Sequence, residues 1–334
     1  MKKLIIDADP GIDDSIAIIL ASLAKEYDIL GISLVAGNVN VNKGCKNILR
    51  LSKFLDRDFN IYIGSDKPLY KEYINAEDTH GRDGLGETYL DYEEKKSKED
   101  AVDFLIEKAQ SGNLTIFALG PLTNIAMALE KNRDAFKDTR IIAMGGSFKS
   151  YGNMSPVSEF NFYVDPDAAN YVIKNAPNKL EIVPLDVTRK FVLTPNILGY
   201  IKRLNKEMGD FIEEITNFYM DFHWEYEKII GSVINDPLVI LVDRHKEYFG
   251  SNSYYAECII DGPARGMLMV DSMDFLGKDK NIILYEDLML KEVWRDFIEI
   301  ITNANVDENI LGELIWSLVL KKLLSLRYVW QLIV

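Results

Sequence analysis

The run Leu4-Ile5-Ile6-Asp7-Ala8-Asp9-Pro10-Gly11-Ile12-Asp13-Asp14 joins three apolar residues to four carboxylates gathered within eight positions. Beyond it, Ile16, Ile19, Leu20 and Leu23 recur at helical spacing. The reading is a strand, a tight turn and a helix, with the acids at the turn. Like charges so concentrated repel one another unless a cation sits among them. A helix N-cap accounts for one or two of the four aspartates, leaving the others to a metal or catalytic site.

The same alternation continues outward. Short β-branched runs at 3–8, 29–36, 59–63, 114–119, 140–144 and 180–184 read as strands. Amphipathic runs at 14–25, 41–55, 123–131 and 166–175 read as helices. Alternating strands and helices predict an α/β fold, an open, mostly parallel sheet flanked by helices. Further on, 205–234 is an aromatic-rich helical stretch, either core-packing or a wall over a pocket. Then follow a helix at 237–242, strands near 253–260, 266–270 and 281–285, and two closing helices, the last at 306–324. Two long polar stretches, 65–97 and 145–164, interrupt the pattern, and long loops inside such a domain are usually functional or disordered. No repeat or linker divides the chain, so residues 1–334 are expected to form a single domain. The apolar tail 325–334 is left unplaced.

The chain carries 334 residues, 48% of them hydrophobic, and a net charge of −14. That acidity argues against binding nucleic acid or anionic lipid. Cys45 and Cys258 are too far apart for a zinc pattern or a disulfide framework, and both read as buried thiols. The N-terminus lacks the apolar core of a signal peptide, and no apolar run approaches a membrane span. A soluble, cytoplasmic protein is expected.

Ligands of open parallel sheets bind beyond the carboxyl ends of the strands. The polar residues following the predicted strands are Asp7, Asp9, Asp13 and Asp14, then Asn38, then Thr123 and Asn124, then Asn153, Glu159 and Asn161, joined by Asn235 and Asp236. The set is rich in carboxylate and amide oxygens and poor in Lys, Arg, Cys and His. Such hard ligands suit calcium or magnesium better than zinc. No glycine-rich phosphate loop is present. Amides and carboxylates without cations suit a neutral polyhydroxyl ligand such as a sugar.

Four motifs resemble, in order, those of the inosine–uridine-preferring nucleoside hydrolase family. They are Asp7-Ala8-Asp9-Pro10-Gly11-Ile12-Asp13-Asp14, Val35-Ala36-Gly37-Asn38-Val39, Gly120-Pro121-Leu122-Thr123-Asn124 and Glu159-Phe160-Asn161-Phe162-Tyr163-Val164-Asp165-Pro166. The resemblance extends to about residue 324. It implies one α/β domain, one calcium ion, a homo-oligomer (dimer or tetramer) and hydrolysis of ribonucleosides to free base and ribose. By motif, Asp9, Asp14, Asp236 and the carbonyl of Leu119 would ligate calcium, and Asp9 would also act as general base on the metal-bound water. Asp13, Asn38, Asn153, Glu159 and Asn161 would hold the ribose hydroxyls. His80 resembles a family histidine on a mobile loop near the substrate.

One departure stands out. Many family members place His directly before the last calcium-binding Asp, positioned to protonate the leaving base; this chain has Asn235, and an amide is no acid. The remaining leaving-group candidates are His223, His80 and the aromatics Trp224 and Tyr226, while His245 is expected in solvent. The substitution keeps open a nucleoside- or ribose-binding homologue with impaired catalysis. A metal-dependent phosphohydrolase is the other alternative, disfavoured by the lack of site cations.

Overall fold

The first strand, β1 (Lys2–Ala8), divides its side chains between two cores. Leu4, Ile6 and Ala8 enter one and Ile5 enters the other, as the two-residue period of a strand requires. The computed structural model describes residues 1–315. After β1 the chain runs through α1 (Ile12–Leu23), β2 (Tyr27–Leu34), α2 (Val41–Leu55), β3 (Ile61–Ile63), α3 (Glu77–His80), β4 (Lys98–Glu99) and α4 (Ala101–Gln110). Next come β5 (Leu114–Ala118), α5 (Thr123–Asn132), β6 (Thr139–Met144), α6 (Phe160–Val164), α7 (Pro166–Asn175), β7 (Leu180–Val183) and α8 (Leu185–Thr188). The remainder comprises β8 (Val192–Leu193), α9 (Pro195–Leu204), α10 (Lys206–Phe222), β9 (Ser232–Val233), α11 (Pro237–Arg244), β10 (Phe249–Cys258), β11 (Leu268–Asp271), β12 (Ile282–Leu288) and α12 (Leu290–Thr302).

Among the described residues, ten strands form one sheet in the order β11-β10-β12-β7-β6-β5-β1-β2-β3-β4. Every neighbouring pair is parallel except those β10 makes with β11 and β12. This is the open, mostly parallel α/β architecture the alternation predicts. Helices α1, α2 and α9 to α12 pack on one face and α4, α5 and α7 on the other. Strand order reverses at β1, which lies between β5 and β2, so chain leaving β1 and β5 diverges to opposite faces and opens a crevice. Asp7 pairs with Ala118 and Ala118 with Ala143. That register brings the segments starting at Asp9, Leu119 and Gly145 to one end of the sheet.

Three expectations change. Helix α1 starts at Ile12, two residues early, because Gly11 is its N-cap and donates its N–H to Asp14 Oδ2 at 2.9 Å. The helix expected over 205–234 ends at Phe222. A wide turn follows (His223–Glu227), then Lys228 at φ 57° and Gly231 at φ 134°, before β9. Cys45 is only half-buried, whereas Cys258 is buried as expected. The expected last helix is present at 308–315; its remainder and the tail 325–334 lie outside the described residues. Among the described residues, no helix is long and apolar enough to cross a membrane.

Candidate active site

The turn after β1 concentrates negative charge out of reach of solvent. Asp9 and Asp14 are wholly buried, and Asp13 and Asp236 nearly so. Carboxylate oxygens of Asp13, Asp14 and Asp236 lie within 4.8 Å of one another. Asp9 adjoins this group, its N–H donating to Asp14 Oδ1 at 3.3 Å. Asn38 binds both inner acids. Its backbone N–H donates to Asp9 Oδ2 at 2.6 Å and its amide to Asp14 Oδ2 at 3.0 Å. Among the described residues, no Lys or Arg forms an ion pair with Asp9, Asp13, Asp14 or Asp236.

The consequence is electrostatic strain. Burial, then the charge of Asp14, raises Asp9 well above the ordinary carboxylate range. Burial and Asp13 do the same to Asp236 and lift Asp14 to about 6. Asp9 Oδ1 is buried with no hydrogen-bond partner among the described residues. An orphaned carboxylate oxygen among hard oxygen donors fits a divalent cation of the calcium class. The carbonyl of Leu119 accepts from Asn161 Nδ2 at 2.7 Å, which leaves its second lone pair free.

Two glycines make the space Asp9 occupies. A Cβ on Gly37 would lie 1.9 Å from Asp9 Oδ2, and one on Gly120 2.5 Å from Asp9 Oδ1. Gly37→Ala therefore has to displace the carboxylate. Turnover should fall about a hundredfold, the scale of a misplacement near 1 Å, with circular dichroism unchanged. Full activity in this variant would show that the position of Asp9 is immaterial.

Above the acids lies a cavity of about 570 Å³. Glu159 N-caps α6, accepting from Asn161 N (2.8 Å) and Phe162 N (3.2 Å), and also accepts from Gly146 N at 2.9 Å. Burial outweighs these donors and raises it to about 7. Asn153 sits on the rim, its Oδ1 accepting from Phe160 N at 3.0 Å. Asp13, Asn38, Leu119, Asn153, Glu159 and Asn161 all line this one cavity, as do His80, His223, Tyr226, Asn235 and Asp236.

The sequence model of the family described as inosine-uridine preferring nucleoside hydrolase matches residues 4–295. The chain belongs to that family. A pyrimidine-specific ribonucleoside hydrolase, RihB, of Shigella flexneri is 31% identical over 285 residues, spanning 84% of this chain and 90% of its own. A plant nucleoside hydrolase, PpNRh1, has a TM-score of 0.85 at 29% identity, covering 91% of this chain and 99% of that one. A purine-preferring ribonucleoside hydrolase from Gardnerella vaginalis has a TM-score of 0.84 at 27% identity, covering 90% and 98%. This nucleoside hydrolase is thus an enzyme whose acidic cluster could hold a metal ion.

The two cavity histidines of the hydrolase are fixed in opposite tautomers by backbone partners. Ile12 N–H donates to His80 Nδ1 at 3.1 Å, so the neutral ring carries its proton on Nε2. His223 Nδ1 faces the Tyr219 carbonyl at 2.8 Å and must donate, leaving Nε2 as an acceptor. Burial pushes both histidines below their ordinary range. Asn235 is tied inward, its amide donating to Asp13 Oδ2 at 2.9 Å.

Not every expected residue reaches the cavity. Trp224, one position after His223 on the same turn, points to solvent and is 56% exposed, with Lys228 beside its ring. His245 is half-buried, held by Glu247 (3.0 Å) and Asp296 (3.5 Å). Asp7 turns toward α5. It accepts from Asn124 Nδ2 at 2.8 Å and from Ser33, and serves as a tie between elements. The aromatic stretch divides: Phe211 packs in the core, while Phe222 and Tyr226 line the cavity. Tyr219 is a site residue that no sequence motif marks: its hydroxyl lies 3.4 Å from Asp13 and its ring touches both histidines. Arg189 and Glu227 also line the cavity, and no motif announces them.

Proposed function

We propose that the enzyme is a calcium-dependent ribonucleoside hydrolase in which Asp9 is the general base. Asp9 Oδ1, buried, without a hydrogen-bond partner among the described residues and adjoining the cluster of Asp13, Asp14 and Asp236, carries this reading. Asp9, Asp14 and Asp236 with the Leu119 carbonyl would hold the ion. A calcium ion bound there supplies positive charge that acidifies an adjacent water and draws in the ribose hydroxyls. Asp9 takes the proton of the attacking water at Oδ1. Asp13, Asn38, Asn153, Glu159 and Asn161 bind the hydroxyls and orient the anomeric carbon. Their carboxylates also stabilise the positive charge of an oxocarbenium-like transition state.

Departure of the base is served by donors other than residue 235. His80 offers Nε2–H to the base, His223 Nε2 accepts from it, and Phe222 and Tyr226 supply aromatic surface. Asn235 holds Asp13 in place. The only Lys or Arg lining the cavity among the described residues is Arg189, already engaged by a neighbouring loop, which suits an uncharged substrate. The two unpaired cysteines support a reducing, cytoplasmic setting, and family membership supports a dimer or tetramer.

The test is a turnover panel of inosine, uridine and their 2′-deoxy counterparts. Ribose release from the ribonucleosides is expected, with the deoxy compounds slower by at least about a hundredfold, because their absent hydroxyl leaves buried polar groups unpaired. Binding of ribonucleosides without release of ribose would overturn the reading.

A further inference from the structure

A single helical turn, α8, and the residue that caps it, Arg189, carry opposite charges that grip one loop. The Asp186 carboxylate accepts three consecutive backbone N–H groups, from Phe148 (2.8 Å), Lys149 (2.7 Å) and Ser150 (2.9 Å). Three residues on, the Arg189 guanidinium donates to Ser150 Oγ (2.6 Å), to the Tyr151 carbonyl and to the Gly152 carbonyl (3.1 Å). It also stacks 3.8 Å from the centre of the Tyr151 ring. The Nη2 that donates to Gly152 also lies 3.8 Å from a Glu227 carboxylate oxygen, at the end of the turn that carries His223 and Tyr226. Arg189 itself is only 14% exposed.

A planar guanidinium is suited to bridging several acceptors at once. Here it joins two of the segments that wall the cavity. One ends in Asn153, beside Gly152, and the other holds Tyr226, beside Glu227. Leu185, the first residue of α8, also lines the cavity, so the clamp is mounted on the site itself.

We infer that Asp186 and Arg189 are positioning residues that lock the 147–153 loop to the 223–227 turn and so set the substrate-binding geometry. The inference rests on the function proposed above for the cavity. Neither residue touches the reacting atoms, so their loss weakens binding more than chemistry.

The test uses calcium-loaded enzyme with inosine and uridine. Arg189→Met is expected to raise KM about tenfold or more, the scale of one lost charge-assisted hydrogen bond, with kcat changed less than about threefold. Arg189→Gly should regain affinity on addition of guanidinium ion, and methylammonium should not replace it. An unchanged KM in Arg189→Met, or a loss confined to kcat, would overturn the inference. If wild-type enzyme releases no ribose, the proposed function fails, and hydrogen exchange still decides the clamp. In Arg189→Met, amides of 147–153 and of 223–227 should both exchange faster, and unaltered exchange in either segment would refute the coupling.

Discussion

Asp9→Asn is expected to lower kcat/KM for inosine and uridine by about 10³–10⁴, measured as ribose release. That is the upper range for removing a positioned general base, and corresponds to about 4–5.5 kcal/mol of transition-state stabilisation. The substitution is nearly isosteric. The side-chain oxygen that accepts from Asn38 N can persist, while the unpartnered Oδ1 is replaced by an amide that takes no proton. Calcium affinity measured by calorimetry separates the two roles given to Asp9. A variant that still binds calcium but has lost turnover identifies the base. A loss below about tenfold would assign proton removal elsewhere, since a general base is worth at least about a hundredfold.

Removing divalent cations with a chelator is expected to abolish turnover and to make stability depend on pH. Asp14 is raised to about 6 and Glu159 to about 7, both chiefly by burial, and Asp9 and Asp236 are also raised. A carboxyl group raised in this way favours the fold while it is protonated. Its contribution is whole below the unfolded value near 4 and fades as pH rises through 6 and 7. The stripped enzyme should therefore melt at falling temperature from pH 4 to pH 8. Calcium at about a hundred times its dissociation constant adds about 2.7 kcal/mol, so the gap between loaded and stripped protein widens with pH. Melting curves that coincide across this range would contradict a cation site at Asp9, Asp14 and Asp236.

Sequence periodicity made the central strands legible because strands covered on both faces are nearly free of charge. The run before Asp7 and the run 114–119 could be little else. The acidic turn was legible for a different reason: four carboxylates in eight positions exceed what capping requires. Helix α4 follows directly on the polar stretch 65–97 and has no counterpart among the predicted helices, nor has α9. The two-residue strands β8 and β9 are too short for any alternation to show. Geometry on the far wall of the cavity was invisible for a physical reason. Trp224 and Tyr226 are equally aromatic, and only the wide turn at His223–Glu227 decides which one meets the cavity. Arg189 acts through carbonyls of a loop whose path no side-chain pattern encodes.

The sheet closes at its two margins with strands of only two residues, β4, and four residues, β11. Margins so short expose few free N–H and C=O groups, and Lys98 adds a charge at one of them. Edge-to-edge strand addition therefore finds only a short template in each margin strand among the described residues, which helps guard a large hydrophobic sheet against aggregation. Among the described residues, helix and loop surfaces offer copies of this chain the broader faces for association.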